Sequence, residues 1–86
     1  MNVIFSTTAW KQYTDWQKED PAIATKINDL IQDIQRNGFF KGIGKPEPLK
    51  QIKAISRRIT HEHRLVYIGN EKRDLFIIAC KGHYND

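Results

Sequence analysis

A chain of 86 residues has room for one hydrophobic core, which buries roughly 60 to 65 % of the surface its unfolded form exposes, so one domain spanning 1–86 is expected. Lys and Arg outnumber Asp and Glu by 14 to 10, giving a net charge of +4 and a sequence pI of about 9.4, a balance that suits an anionic partner such as nucleic acid. A single cysteine excludes an internal disulfide, no apolar run approaches the ~18 residues of a membrane span, and Met-Asn-Val-Ile-Phe-Ser lacks the charged start and long apolar stretch of a secretory signal. A cytoplasmic protein with no membrane association is expected.

Within Asn2 to Ser6, the run Val3, Ile4 and Phe5 reads as a short buried strand. Ser6, Thr7 or Thr8 can cap the helix that follows, in which Ala9, Tyr13 and Trp16 fall at helical spacing with Trp10 beside them, a stripe expected to face the core. Asp20 followed by Pro21 reads as a cap and first helical residue, and Ile23, Ile27, Leu30, Ile31 and Ile34 then line one apolar face. Lys26, Asp29, Gln32, Asp33 and Arg36 are expected to face water, and Asn37-Gly38 ends this second helix.

From Phe39 to Lys50 the pattern turns irregular. Gly42 and Gly44 permit a left-handed path, while Pro46 and Pro48 push Lys45 and Glu47 toward extended backbone. On this segment alone Glu47 reads as a solvated loop glutamate. A strand is expected to resume through Ile52, turn near Lys53-Ala54, and continue from Ile55 to Thr60; further strands follow over Arg64 to Ile68 and Leu75 to Lys81, separated by a polar turn from Gly69 to Asp74. Cys80, within Phe-Ile-Ile-Ala-Cys, reads as a buried small hydrophobe rather than a nucleophile, and His83 taken alone reads as a surface residue. A strand, a helical hairpin and a run of antiparallel strands make an α+β fold: a small antiparallel-rich sheet with the N-terminal helical hairpin packed on one face.

The densest chemistry lies in Ser56 to Tyr67, where Arg57, Arg58, His61, Glu62, His63 and Arg64 share one short hairpin able to display phosphate-binding and proton-transferring groups together. Its turn, His61-Glu62-His63, contains no Gly, Asn or Pro and is therefore expected to take its shape from tertiary packing. Arg57 and Arg58 alternate across a strand, so only one faces a substrate, and Arg58 is the choice; the other reads as solvated or salt-bridged. His61 and His63 share a strand face, yet no Cys or further His stands nearby to complete a zinc shell, and no metal site is assigned.

Lys-Pro-Glu-Pro-Leu-Lys at 45–50, Ser-Arg-Arg-Ile-Thr at 56–60, Glu-His-Arg-Leu-Val-Tyr at 62–67 and the late His83-Tyr84 together resemble the YoeB/Txe-type toxins of the RelE/ParE superfamily, over nearly the whole chain. The resemblance implies a RelE-like, microbial ribonuclease-like fold and a ribosome-dependent messenger RNA endonuclease. It also implies a small homodimer held inactive by a cognate YefM/Axe-like antitoxin with an acidic C-terminal segment. Its other partners would be mRNA and rRNA in the ribosomal A site, with DNA reached only through the antitoxin complex. By motif match, Glu47 would be the general base, His83 the general acid, Arg64 the stabiliser of the charged phosphorane, and Tyr84 a group that orients substrate. Lys50 and Arg58 match phosphate-contacting positions, and Glu62 matches one that supports the site. The chemistry calls for no cofactor, because RNA carries its own nucleophile in the 2′-hydroxyl and needs only alignment, a base, an acid and cations.

The chain departs from the family pattern in two places. Only Gln51 to Ile55 separates Lys50 from Ser56, which puts Ile55 where relatives carry an aromatic, and Asn85-Asp86 extends beyond His83-Tyr84. These departures keep an alternative in view: a catalytically weakened relative that binds ribosome or RNA and acts mainly as an antitoxin-bound co-repressor.

Overall fold

The computed structural model describes residues 1–83. Tyr84 and the Asn85-Asp86 extension lie outside the described residues.

Strand β1 spans Val3–Phe5, helices α1 and α2 span Thr7–Glu19 and Pro21–Asn37, and strands β2 to β5 span Glu47–Pro48, Ile55–Arg58, Arg64–Gly69 and Leu75–Ala79. Of the three capping candidates Ser6 takes the role, its Oγ accepting the Ala9 N–H at 3.0 Å. The same hydroxyl donates to the Ile78 carbonyl at 2.9 Å, so the start of α1 is tied to β5. Asp20 stands at the cap of α2 as expected, but its side chain makes no cap bond, and the helix start rests on Pro21 in the first turn. Asn37 is the last helical residue, and Gly38, with φ of 94°, turns the chain away while its N–H closes on the Ile34 carbonyl at 2.8 Å.

The sheet has five strands in the order β1-β5-β4-β3-β2. It is mixed rather than purely antiparallel, because β1 runs parallel to β5 while the other three pairings are antiparallel. As an edge strand β1 has Val3 and Phe5 half-buried and Ile4 exposed, so it is less buried than its apolar sequence predicts. The helices cover one sheet face. Ala9, Trp16, Ile27, Leu30 and Ile34 pack there against Leu65, Tyr67, Leu75 and Ile77, each fully buried aliphatic side chain contributing ~1.5 to 3 kcal/mol. Trp10 leaves this stripe, 54 % exposed, and lies edge-on to Phe5 with ring centres 5.7 Å apart. On the opposite face a smaller cluster gathers Ala54, Val66 and Ala79 with Leu49, Ile68 and Ile78.

One polar network crosses the larger core. Asp33, expected to face water, is buried, and it receives a 2.6 Å hydrogen bond from Arg57, whose exposure is 0 %. Every N–H of that guanidinium is used: Nε donates to Tyr67 Oη, Nη1 to Asp33 Oδ2 and the Ile43 carbonyl, and Nη2 to the carbonyls of Gly38 and Lys41. Tyr67 Oη in turn donates to the Phe39 carbonyl at 2.6 Å. Asp33 lies on the flank of the apolar stripe of α2, and the cation arriving from β3 is what draws it inside. The irregular 38–43 segment is thereby fastened to the core by side chains in place of a strand ladder. Gly42 is required there, since a Cβ at its φ of 117° would come within 1.8 Å of Asp33 Oδ2.

Other expectations are corrected locally. Lys45 is left-handed, with φ of 52°, rather than extended: the Gly44 carbonyl accepts the Arg58 N–H at 2.8 Å, and the chain must then turn to lay Glu47 beside Ser56. No strand passes through Ile52, which is exposed in a bend. β3 stops at Arg58 and β5 at Ala79, short of Thr60 and Lys81. The turn between β3 and β4 is locally specified after all, because Thr60 Oγ1 accepts the N–H groups of Glu62 and His63, each at 3.1 Å.

Candidate active site

The face of the sheet away from the helices carries the site. Alternation along β3 sends Ile55 and Arg57 toward the helices and Ser56 and Arg58 away from them, and the register then sets Glu47 opposite Ser56 and Arg58 opposite Arg64. Arg64 is the organising group, with a side chain only 9 % exposed. Its Nε donates to Ser56 Oγ at 3.0 Å and its Nη2 to Glu47 Oε1 at 2.9 Å. The Glu47 side chain is 62 % exposed, so a restrained, nearly buried cation presents an accessible carboxylate at the surface.

The segment after β5 is held against this pair. Gln12 Oε1 accepts the Cys80 N–H at 2.7 Å, Trp16 Nε1 donates to the Cys80 carbonyl at 2.9 Å, and the Gly82 carbonyl accepts the Arg64 N–H at 3.0 Å. His63 Nδ1 accepts the Gly82 N–H at 2.9 Å. His83, one residue further, is exposed. The Cys80 thiol is fully buried, and burial pushes it up to about 12, consistent with an inert core residue.

The sequence-predicted residues are thus distributed unevenly. Glu47 and Arg64 are in contact, Arg58 is exposed beside Arg64 in register, and Lys50 is exposed in the bend that follows β2. Glu62 sits at the turn, and among the described residues no hydrogen bond joins its carboxylate to Glu47 or Arg64. Two contributors escaped the sequence reading. Ser56, buried beneath the Arg64 guanidinium, is signalled by a small hydroxyl residue in an otherwise apolar or cationic strand, and His63, considered as one of the hairpin's proton-transferring groups and as a metal ligand, is instead a hydrogen-bond acceptor for the Gly82 backbone. Among the described residues no group of three or more His, Cys, Asp or Glu is gathered where it would hold a metal.

Beside β2 an apolar groove of about 330 Å³ opens at the Ile55/Ile68 end of the hairpin, lined in part by Phe39, Phe40, Leu49 and Ile68. Phe40 is 65 % exposed there, a large apolar side chain open to solvent.

Residues 5–84 match the model of the YoeB-like toxin of bacterial type II toxin-antitoxin systems. The chain belongs to that family. It is 49 % identical to Toxin YoeB of Escherichia coli K12 over 86 residues, covering 98 % of this chain and 100 % of that protein. Among solved structures of YoeB toxins, the YoeB dimer from Staphylococcus aureus superposes with a TM-score of 0.91 at 44 % identity, covering 98 % of both chains. The heterotetrameric YoeB-YefM toxin-antitoxin complex from the same organism gives 0.89 at 45 % identity over 98 % of both chains. This YoeB-like chain therefore shares with those relatives the arrangement of helices and sheet that carries the Glu47 and Arg64 pair. No helix among its described residues is long and apolar enough to cross a membrane.

Proposed function

We propose that this toxin is a ribosome-dependent messenger RNA endoribonuclease working by general acid-base attack of the RNA 2′-hydroxyl. The observation that carries the reading is the Arg64 arrangement: a guanidinium restrained by Ser56, paired with the exposed Glu47 carboxylate, and bonded through its backbone to the residue before His83. In the reaction Glu47 removes the 2′-proton, the 2′-oxygen bonds to phosphorus, the bond to the 5′-oxygen breaks, and His83 delivers a proton to that leaving oxygen. The products are a 2′,3′-cyclic phosphate and a 5′-hydroxyl. Arg64 stabilises the phosphorane, and the Glu47 carboxylate it holds, exposed to solvent, can exchange for a phosphate oxygen. Lys50 and Arg58 bind flanking phosphates, Glu62 supports the site, and Tyr84 orients the substrate.

The proposed setting is the cytoplasmic ribosome, where a protein of net charge +4 meets mRNA and rRNA in the A site. The Staphylococcus aureus relatives include a dimer and a YoeB-YefM complex, and the same assemblies are proposed for this chain. An antitoxin segment with Asp or Glu and a few apolar residues suits a surface that offers the cations Arg58 and Arg64 at one end of the β3–β4 hairpin and the apolar groove at the other. DNA would be reached only through that complex.

The test is cleavage in a translating extract against naked mRNA, with the ends mapped. Cleavage confined to translated message, with cyclic or 3′-phosphate and 5′-hydroxyl ends, is expected. Arg64→Ala should lose roughly 100 to 1,000-fold, the cost of one oxyanion donor, while Glu47→Gln and His83→Gln each lose ~100 to 10,000-fold with ribosome binding retained. Normal cleavage by Arg64→Ala overturns the mechanism. A wild-type protein that binds ribosomes without cutting would instead support the co-repressor reading.

A further inference from the structure

Where β5 ends at Ala79 the sheet ladder stops, yet the next residues are not left to fray as chain ends usually are. Side chains take over: Gln12 holds the Cys80 N–H, Trp16 holds its carbonyl, and His63 Nδ1 holds the Gly82 N–H at 2.9 Å. The Gly82 carbonyl receives the Arg64 N–H at 3.0 Å, so both backbone polar groups of Gly82 are fixed by consecutive residues at the start of β4. The His63 ring is itself immobilised, standing edge-on to Trp16 with centres 4.7 Å apart and planes 70° from parallel. Lys81 Nζ lies 5.1 Å from the same Trp16 ring and pairs with Glu19 at 3.6 Å. Gly82 adopts φ of 93°, a conformation that swings the chain out of the strand direction just before His83.

We propose that His63 is a positioning residue for the leaving-group proton transfer: its unprotonated Nδ1 fixes the Gly82 backbone and thereby sets where His83 meets the 5′-oxygen. The inference rests on the assignment of His83 as general acid. The chemical requirement on His63 is narrow, since the position needs a rigid, flat side chain on Trp16 with an acceptor aimed at Gly82.

The experiment separates position from stability through the leaving group. His63→Phe keeps a ring on Trp16 and deletes the acceptor; His63→Asn returns an acceptor oxygen near the place of Nδ1. Each variant is assayed on translating ribosomes with ordinary mRNA and with message whose scissile 5′-oxygen is replaced by sulfur, a leaving group that needs no proton. His63→Phe should cleave ordinary message roughly 10 to 100-fold slower, as a misplacement of about 1 Å does, and His63→Asn should recover most of that rate. Both His63→Phe and His83→Gln should return close to wild-type rate on the sulfur substrate, and the double variant His63→Phe/His83→Gln should be no slower on ordinary message than His83→Gln alone. An equal deficit of His63→Phe on both substrates, additive losses in the double variant, or a normal rate on ordinary message overturns the proposal while sulfur rescue of His83→Gln leaves the acid assignment standing. Failure of sulfur to rescue His83→Gln removes that assignment and this proposal with it.

Discussion

Replacing Arg57 by methionine removes one cation and five hydrogen-bond donors from the interior. The three carbonyls it serves belong to Gly38, Lys41 and Ile43, on a segment whose residues are half-buried or exposed, so water can replace much of what they lose. Asp33 is in a different position. It is 8 % exposed and would keep only the Asn37 amide and the Ile43 N–H as donors, leaving a buried carboxylate without its counter-charge. Removing one partner of such a pair costs ~3 to 5 kcal/mol, a large share of the ~5 to 15 kcal/mol by which domains are stable. With a urea m-value of about 1 kcal/mol per molar for a small domain, the midpoint should fall by roughly 3 to 5 M, or the variant should be unfolded in water. Asp33→Leu/Arg57→Met removes both charges and should recover most of the loss, because two apolar residues in place of a buried pair are often neutral. Equilibrium urea unfolding of the wild type, the single and the double variants is the assay. A single-variant loss below ~1 kcal/mol at unchanged m, or a double variant as weak as the single, would refute the account of this network.

Two further outcomes follow from buried titratable groups. Burial is the largest single influence on Asp33 and pushes its carboxyl up, but hydrogen bonds from Arg57, the Ile43 N–H and Asn37, with the Arg57 charge, together hold it below its ordinary value. Its contribution is therefore complete above the unfolded-chain value of about 3.9 and is lost as pH falls through the lower folded value, so Asp33→Asn should shallow the acid limb of stability measured between pH 5 and 2. Cys80, pushed up to about 12 by burial, should resist iodoacetamide at neutral pH in the folded protein and react fully in urea; stoichiometric labelling of the native state would contradict its placement.

What the sequence reveals of this fold is what local chemistry determines. The Ser6 cap, the apolar spacing from Ile23 to Ile34 and the Asn37-Gly38 stop act within a few residues, and both helices form where that pattern puts them. Asp33 was hidden because its burial depends on Arg57, 24 residues away, and a carboxylate beside an apolar stripe looks solvated until the cation is known. The parallel pairing of β1 with β5 has no local signature either, since a short apolar strand reads the same in both directions. Alternation did separate Arg57 from Arg58, and Arg58 is the exposed one. For the candidate site, motif resemblance marked Glu47 and Arg64, but only register explains why they touch: Glu47 pairs with Ser56, and Ser56 lies under Arg64. The part played by His63 depends on where the chain returns after β5, which no pattern near His63 reveals.

Arg57 and Arg64, facing opposite sides of the same hairpin, differ in what their surroundings leave available. Arg57 meets five internal acceptors and is spent on structure. Arg64 meets Ser56, which fixes its direction, and Glu47, whose exposed carboxylate is easily exchanged. A cation held in place by a neutral hydroxyl and neutralised only at the surface needs little rearrangement to accept another anion, which is the condition for electrostatic stabilisation without a reorganisation cost. Since a slip of one residue would send every side chain of β3 to the other face, Arg57 to the surface and Arg58 into the core, the register of the hairpin must be pinned. Thr60 does this at the turn by taking two N–H groups. The short turn that carries no glycine thus helps keep Arg57 inside and Arg58 outside.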